Sequence, residues 1–390
     1  MNPIFQVARK ELREMFRDKR VRSSAFLGPI ILIFVLFSLM GFVFGQLGKK
    51  QNTKVHVVKS SSPLVAVLKK EQFQIVEVAT QAEGEKLIRN GDARVLLQFA
   101  ANPATGDGQE VVDAFVDPKQ QTGQIALAMV RNAFETENRT RVVTRLSKAG
   151  IPETALEPIK IAKHDLQVGE KGGASEILVG LLPYMIVIWA FYGAMSISGD
   201  LVAGEKEKNT LETLLITPVT RTSIVLGKLL GLTVVSLLSS LSSLVGILLF
   251  AALKPPGSAE MFKSGLGVTP MAALIIVVLM LPMAALFSSM LIGVSSYAKN
   301  SREAQTYVSQ LSFIVIAPAI FSQFIGLTDY GSKRWVDLVP ILNTANNMRL
   351  ALLGKPDLTG ILITVSISAV LAVIAVRLTV MLFNREEVLV

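Results

Sequence analysis

The chain reads as a polytopic α-helical membrane protein of six transmembrane helices, with an extracytoplasmic α/β domain between the first and second. Three observations predict this. Hydrophobic residues make up 51% of the 390 positions. Several charge-free runs are long enough to cross a bilayer, which takes about 20 residues of helix. The one long polar stretch, roughly residues 47–173, interrupts those runs only once.

The first segment, residues 1–22, repeats Phe5, Ala8, Leu12, Met15 and Phe16 at helical spacing among basic residues. That pattern predicts an amphipathic helix lying on the inner membrane face. It serves either as a topology anchor or as a helix that also touches a cytoplasmic partner. Its charged part is too long for a cleavable signal, and no small-x-small cleavage site follows. Residues 23–46 form the first span, with its apolar core from Ala25 to Gly45. The density of Arg9, Lys10, Arg13, Arg17, Lys19, Arg20 and Arg22 before it places the N-terminus in the cytoplasm.

Within residues 47–173, Lys54–Val58, Phe73–Val78, Arg94–Phe99 and Glu110–Val116 carry strand patterns. Ala82–Asn90 predicts a helix stopped by Gly91, and Gln120–Lys148 a long one. Asn102–Gly108 is a turn-rich loop, and Gly172-Gly173 tethers the domain to the next span.

Residues 174–384 hold five further spans, over Ile177–Ser198, Leu229–Leu253, Met271–Ala298, Ala304–Thr328 and Leu358–Val376. Pro183, Pro282 and Pro318 fall inside them, where neighbouring helices can satisfy the freed carbonyls. Six spans return the C-terminal tail, residues 385–390, to the cytoplasm. The loop 199–228 and the turn Lys299–Glu303 fall on the same side. Residues 329–357 lie outside and repeat apolar residues such as Val336, Leu338, Ile341, Leu342 and Met348, which predicts short helices dipping into the outer leaflet.

The sequence also excludes chemistry. Cysteine is absent and only His56 and His164 occur, so thiolate sites are ruled out and a histidine metal centre is not expected. No phosphate-cradling G-x-x-x-x-G-K-[ST], H-E-x-x-H or G-x-S-x-G is present. No catalytic, cofactor or metal residue is therefore assigned, and the chain is not expected to be an enzyme. The formal charge of +9 fits a positive-inside membrane protein rather than a nucleic-acid binder. The spans, within these bounds, hold no ionisable side chain, which disfavours a proton-coupled carrier. Ser236, Ser239, Ser240 and Ser243 cluster in the third span. They form either a close-packing seam or the wall of a translocation path.

The loop 199–228 contains Gly204-Glu205-Lys206-Glu207-Lys208-Asn209-Thr210-Leu211-Glu212-Thr213-Leu214-Leu215-Ile216-Thr217-Pro218-Val219. A charged helix held between two spans, in a chain with no energy chemistry of its own, predicts a contact for a separate motor. With Gly227-Lys228 and the layout above, this motif resembles the permease subunits of type-2 ATP-binding-cassette exporters, and among them the NatB-like group. The resemblance covers nearly the whole chain. One departure is Asn209, where glycine is common in that family.

The resemblance implies an ATPase subunit that binds ATP and Mg2+, a second permease copy or a similar partner, and surrounding membrane lipid in a prokaryotic plasma membrane. It implies a coupling role for Glu205, Glu207, Thr210, Leu211, Glu212, Leu215 and Pro218, with Lys299, Arg302 and Glu303 as a secondary contact. Two other readings are a mechanotransmitter, in which the ATPase moves the outer domain without transport, and a membrane-anchored receptor or enzyme with no ATPase. The cargo implied is Na+, a drug or a lipid-like molecule.

Overall fold

The structure is a computed structural model describing residues 2–47, 53–99, 110–118, 120–156, 176–208, 210, 216, 218–255, 268–325, 331 and 333–384. In chain order, α1 spans Pro3–Arg17. A short turn at Lys19–Val21 and a π-helical segment at Arg22–Leu27 lead into α2, Gly28–Leu47. Then come β1 (Lys54–Val58), α3 (Leu64–Lys70), β2 (Gln74–Val78), α4 (Gln81–Arg89), β3 (Leu96–Phe99), β4 (Val112–Phe115) and α5 (Gln121–Lys148). The rest is helical: α6 (Glu176–Leu201), α7 (Ala203–Glu207), α8 (Arg221–Leu253), α9 (Pro270–Tyr297), α10 (Ser301–Ile325), α11 (Leu342–Leu352) and α12 (Leu358–Asn384).

The chain divides into two compact units, one of residues 1–42 and 166–390, the other Val43–Asp165. The smaller unit is built on a four-stranded sheet in the order β2-β1-β3-β4. Strand β1 pairs in parallel with β2 (Val55 opposite Ile75) and with β3 (Val57 opposite Leu97), while β4 runs antiparallel to β3. Parallel neighbours need crossover helices, and α3 and α4 supply them. Val55, Val57 and Leu97 on one face pack with Leu64 and Leu68 of α3 and with Ala126, Val130 and Ala133 of α5. Val78, Ile88 and Leu96 form a smaller cluster with α4. The predicted strands and both predicted helices are present here. The short helix α3 is an addition that seven residues of pattern did not signal, and the loop at 102–108 and the tether at 172–173 lie outside the described residues.

Among the described residues, the larger unit has six helices long and apolar enough to cross a membrane, covering Lys19–Phe42, Val179–Glu207, Arg221–Leu253, Pro270–Tyr297, Ser301–Ile325 and Leu358–Phe383. Helices α6 and α9 are the most enclosed, and α2, α10 and α12 show more apolar surface outward, as lipid-facing helices do. Phe191 of α6 meets Phe287 of α9 edge to face at 5.4 Å, within the central core. Pro183, Pro282 and Pro318 lie inside α6, α9 and α10, which run unbroken through them.

Two boundaries differ from the sequence reading. Helix α8 starts at Arg221 rather than Leu229, because Thr220 accepts a hydrogen bond from the Ser223 amide (3.3 Å) and caps it. Lys228 therefore sits inside a spanning helix that the apolar pattern starts only after it. Helix α12 continues past Val376 to Asn384 and carries Arg377 on an exposed face. Between α10 and α12, a 3-10 turn at Arg334–Leu338 precedes α11, so the segment does fold into short helices. Their buried residues, however, include Asn343, Thr344, Asn346 and Asn347, not only the apolar ones.

Candidate coupling site

Helix α1 leaves Phe5 and Phe16 both exposed, although the Phe16 ring stacks on Phe26 at 5.3 Å. Its buried face is Val7, Ala8, Glu11 and Met15, laid against the start of α8. Gly227 and Gly231, four residues apart, make the approach possible. A Cβ on Gly227 would stand 2.5 Å from the Val7 Cβ, and one on Gly231 would stand 3.3 Å from the Glu11 Cβ. Small residues at this spacing are the usual means by which membrane helices come close.

Such close packing places Glu11, the acidic residue of an otherwise apolar face, against Lys228, which is fully buried. The Lys228 Nζ lies 2.9 Å from Glu11 Oε1 and 2.8 Å from Glu205 Oε1 of α7. Lys10 completes the network at 3.3 Å from Glu11, 3.3 Å from Glu14 and 3.6 Å from Glu205. Burial works to lower the Lys10 pKa, but the carboxylates of Glu11, Glu205 and Glu14 outweigh it and hold the ammonium above its ordinary value. Helix α1 is thus pinned to α7 and α8, some two hundred residues on, by one charge cluster.

Helix α7 is tied on its other side as well. Lys206 Nζ donates to the carbonyls of Ser296 (2.7 Å) and Ala298 (3.3 Å), at the C-terminal end of α9. A cation there meets the negative end of the helix dipole. The exposed Glu207 accepts from the Ser301 amide (3.1 Å) in the turn between α9 and α10. In that turn, Asn300 accepts from the Glu303 amide (2.9 Å), and Glu303 accepts from the Lys299 amide (2.8 Å) and the Tyr307 hydroxyl (2.7 Å). Asn300 thus caps the start of α10, and Glu303 ties back the amide just before the cap. Lys299 and Arg302 remain exposed.

The structure therefore brings the two predicted contact groups, 205–210 and 299–303, together at one end of the helix bundle. Glu205 is turned inward to Lys228. Glu207 faces the adjoining turn, Thr210 donates to the Glu205 carbonyl (3.3 Å), and Ile216 and Pro218 are exposed. Leu211, Glu212 and Leu215 lie outside the described residues. A cavity of about 610 Å³ opens between α1 and α7, lined among others by Glu14, Asp18, Asp200, Glu205 and Lys208.

Sequence reasoning missed Glu11, Lys10 and Lys228 as members of this site. The available signals were a lone acid within the apolar face of α1 and a glycine pair flanking a lone lysine. The four serines of α8 are buried, and two of them lie in its seam with α6. Ser236 donates to the Ala190 carbonyl and Ser239 to that of Trp189, each at 2.8 Å, while Ser240 and Ser243 bond within their own helix.

A match to the family described as ABC-2 family transporter protein runs over residues 19–381, nearly the whole chain. The chain belongs to the ABC-2 transporter family. It is also 27% identical over 390 residues, 98% of each chain, to the ABC transporter permease protein NatB of Bacillus subtilis (strain 168). The ABC-2 chain is thus a multi-pass permease component of a transporter. The site just described is the part of this permease where charge, exposure and rigid anchoring coincide.

Proposed function

We propose that this permease is the membrane subunit of an ATP-driven exporter, and that a separate ATPase subunit docks on the face built from α1, α7 and the turn 299–303. ATP and Mg2+ are held by that subunit. A second permease copy, or a similar chain, completes the path, and lipid surrounds the outer helices. The α/β unit then lies outside the cell and both termini lie in the cytoplasm, in keeping with the basic residues clustered ahead of the first span. The cargo is Na+, a drug or a lipid-like molecule.

The single observation that carries this reading is the bracing of α7. It is bonded to α8 and α1 through Glu205, to α9 through Lys206 and to the start of α10 through Glu207. A push on so short a helix reaches four long elements at once, as a lever between a motor and a bundle must. Packed elements transmit such displacements because interiors are dense and not freely deformable. Charge reversal at the exposed Glu207 is expected to abolish transport-linked stimulation of the ATPase while leaving membrane insertion intact. Recovery of no nucleotide-binding subunit with the permease, from gently solubilised membranes, would defeat the proposal.

A further inference from the structure

One face of α1 is fully engaged, while another carries charge that nothing in the chain answers. Val7, Ala8, Glu11 and Met15 are buried against the bundle. Both acids of the helix are taken, Glu11 by Lys228 and Lys10, and Glu14 by Lys10. Arg9, Arg13 and Arg17 are exposed and stand at i, i+4 and i+8, so they form one row of like charge along the helix. Among the described residues, none of the three has an ion pair or a hydrogen-bonded side chain. Like charges four residues apart oppose a helix, and an anion from outside would relieve them.

Beside the row runs an apolar stripe. Phe5, Leu12 and Phe16 share one side of the helix by its pitch, and Phe5 and Phe16 are 59% and 42% exposed. The stripe is level with the first span. The Phe16 ring lies flat on Phe26, with centroids 5.3 Å and planes 6° apart, and Phe26 belongs to the span Lys19–Phe42. Only Asp18, in extended backbone, separates α1 from that span, so α1 cannot leave the membrane surface. Lys10 and Glu14, which line the cavity beside α7, lie on the far side of the arginine row from the stripe.

An inorganic anion would answer the arginines and leave the phenylalanines in water, whereas a phospholipid answers both. Zwitterionic headgroups carry their own cation, so three unanswered charges select lipids of net negative charge. We propose that Arg9, Arg13 and Arg17 bind the phosphates of anionic phospholipids, with Phe5 and Phe16 seated beside the acyl chains, and that this contact helps to hold α1 on α7 and α8. Guanidinium forks match phosphate oxygens, and helices with basic and aromatic residues so arranged bind anionic surfaces in preference to neutral ones. The inference needs neither an ATPase nor a cargo, so it stands or falls apart from the export reading.

The test uses the full chain in nanodiscs of phosphatidylcholine, alone or with rising shares of phosphatidylglycerol, and reads hydrogen exchange of the α1 amides. Saturable slowing of that exchange with phosphatidylglycerol is expected, weakened by added NaCl. Inorganic phosphate added to the phosphatidylcholine discs is expected to have no effect. A basic residue near an anionic surface contributes about 5-fold in affinity, so Arg9→Gln, Arg13→Gln and Arg17→Gln together should weaken the response on the order of 100-fold. Lysine at the same three positions keeps the charge and should retain most of it. Lys69→Gln, Lys70→Gln and Arg89→Gln, exposed positions of the α/β unit, lower the net charge equally and should leave the response unchanged. Equal α1 exchange in both lipids would overturn the proposal, as would a folded triple-glutamine chain that responds like the parent. So would phosphate reproducing the effect, or protection that comes only with the ATPase subunit and ignores the lipid, which would assign the row to a protein contact.

Discussion

Replacing Lys228 by methionine removes the charge that pins α1, α7 and α8 together while keeping the volume of its buried stem. The ammonium stands 2.9 Å from Glu11 and 2.8 Å from Glu205, and its side chain is wholly enclosed. Taking one partner from a buried ion pair costs about 3–5 kcal/mol, since the remaining charge is left without compensation. Here Lys10, at 3.3 Å from Glu11 and partly exposed, compensates in part, so the expected loss is at the lower end, about 3 kcal/mol. A second change, Glu11→Leu, removes the more deeply buried of the two stranded charges and leaves Glu205 to Lys10 at 3.6 Å, and apolar replacement of a buried pair is often near neutral. The double variant should therefore recover much of the loss. The assay is a double-mutant cycle on the unfolding midpoint of the purified full chain, with hydrogen exchange of the α1 amides alongside. Lys228→Met should lower the midpoint and expose α1 to exchange, with a coupling energy of about 1–3 kcal/mol between the two sites. Simple additivity of the two substitutions, or an α1 as protected as before, would refute the reasoning.

Other outcomes follow from the same geometry. Gly227→Val should push Val7 and the whole of α1 away, costing about 1–3 kcal/mol by overpacking, and should speed proteolysis within the first 17 residues while α9 stays protected. Asn300→Ala should cost about 1 kcal/mol through loss of the cap on α10, read as faster amide exchange in its first turn. Burial, aided by the Lys54 charge, holds the His56 pKa below its ordinary 6.5. The unfolded chain thus binds the proton first as pH falls below about 6.5, and the α/β unit should lose stability from there downward. Exchange at the β1 amides between pH 7.5 and 5.5 checks this against His56→Leu, in which that share of the pH dependence should vanish.

Much of the architecture was legible because bilayer-length apolar runs and strand alternation are local signals. Pro270 opening α9 and Gly91 closing the region after α4 lie close to where turn chemistry put them. What failed was local reading of charge. Lys228 looked like the end of a loop because a lone lysine in an apolar helix is unfavourable on its own. Glu11, 217 positions away in the chain, and Glu205 of α7 together make it tenable. Glu303 has a second role that its charge alone does not show: it accepts from the Lys299 amide, while Asn300 accepts from the Glu303 amide, at the start of α10. The buried asparagines of α11 were invisible for the same reason as Lys228. Their neighbours, Asp337 and Thr364, come from the flanking turn and from the next helix.

The absence of native cysteine allows the docking face to be probed with one introduced thiol. Thr210→Cys should react with a membrane-impermeant maleimide only when the cytoplasmic face is open to it, and binding of the ATPase subunit should shield it. Labelling of that thiol from the exterior of intact cells would contradict the account.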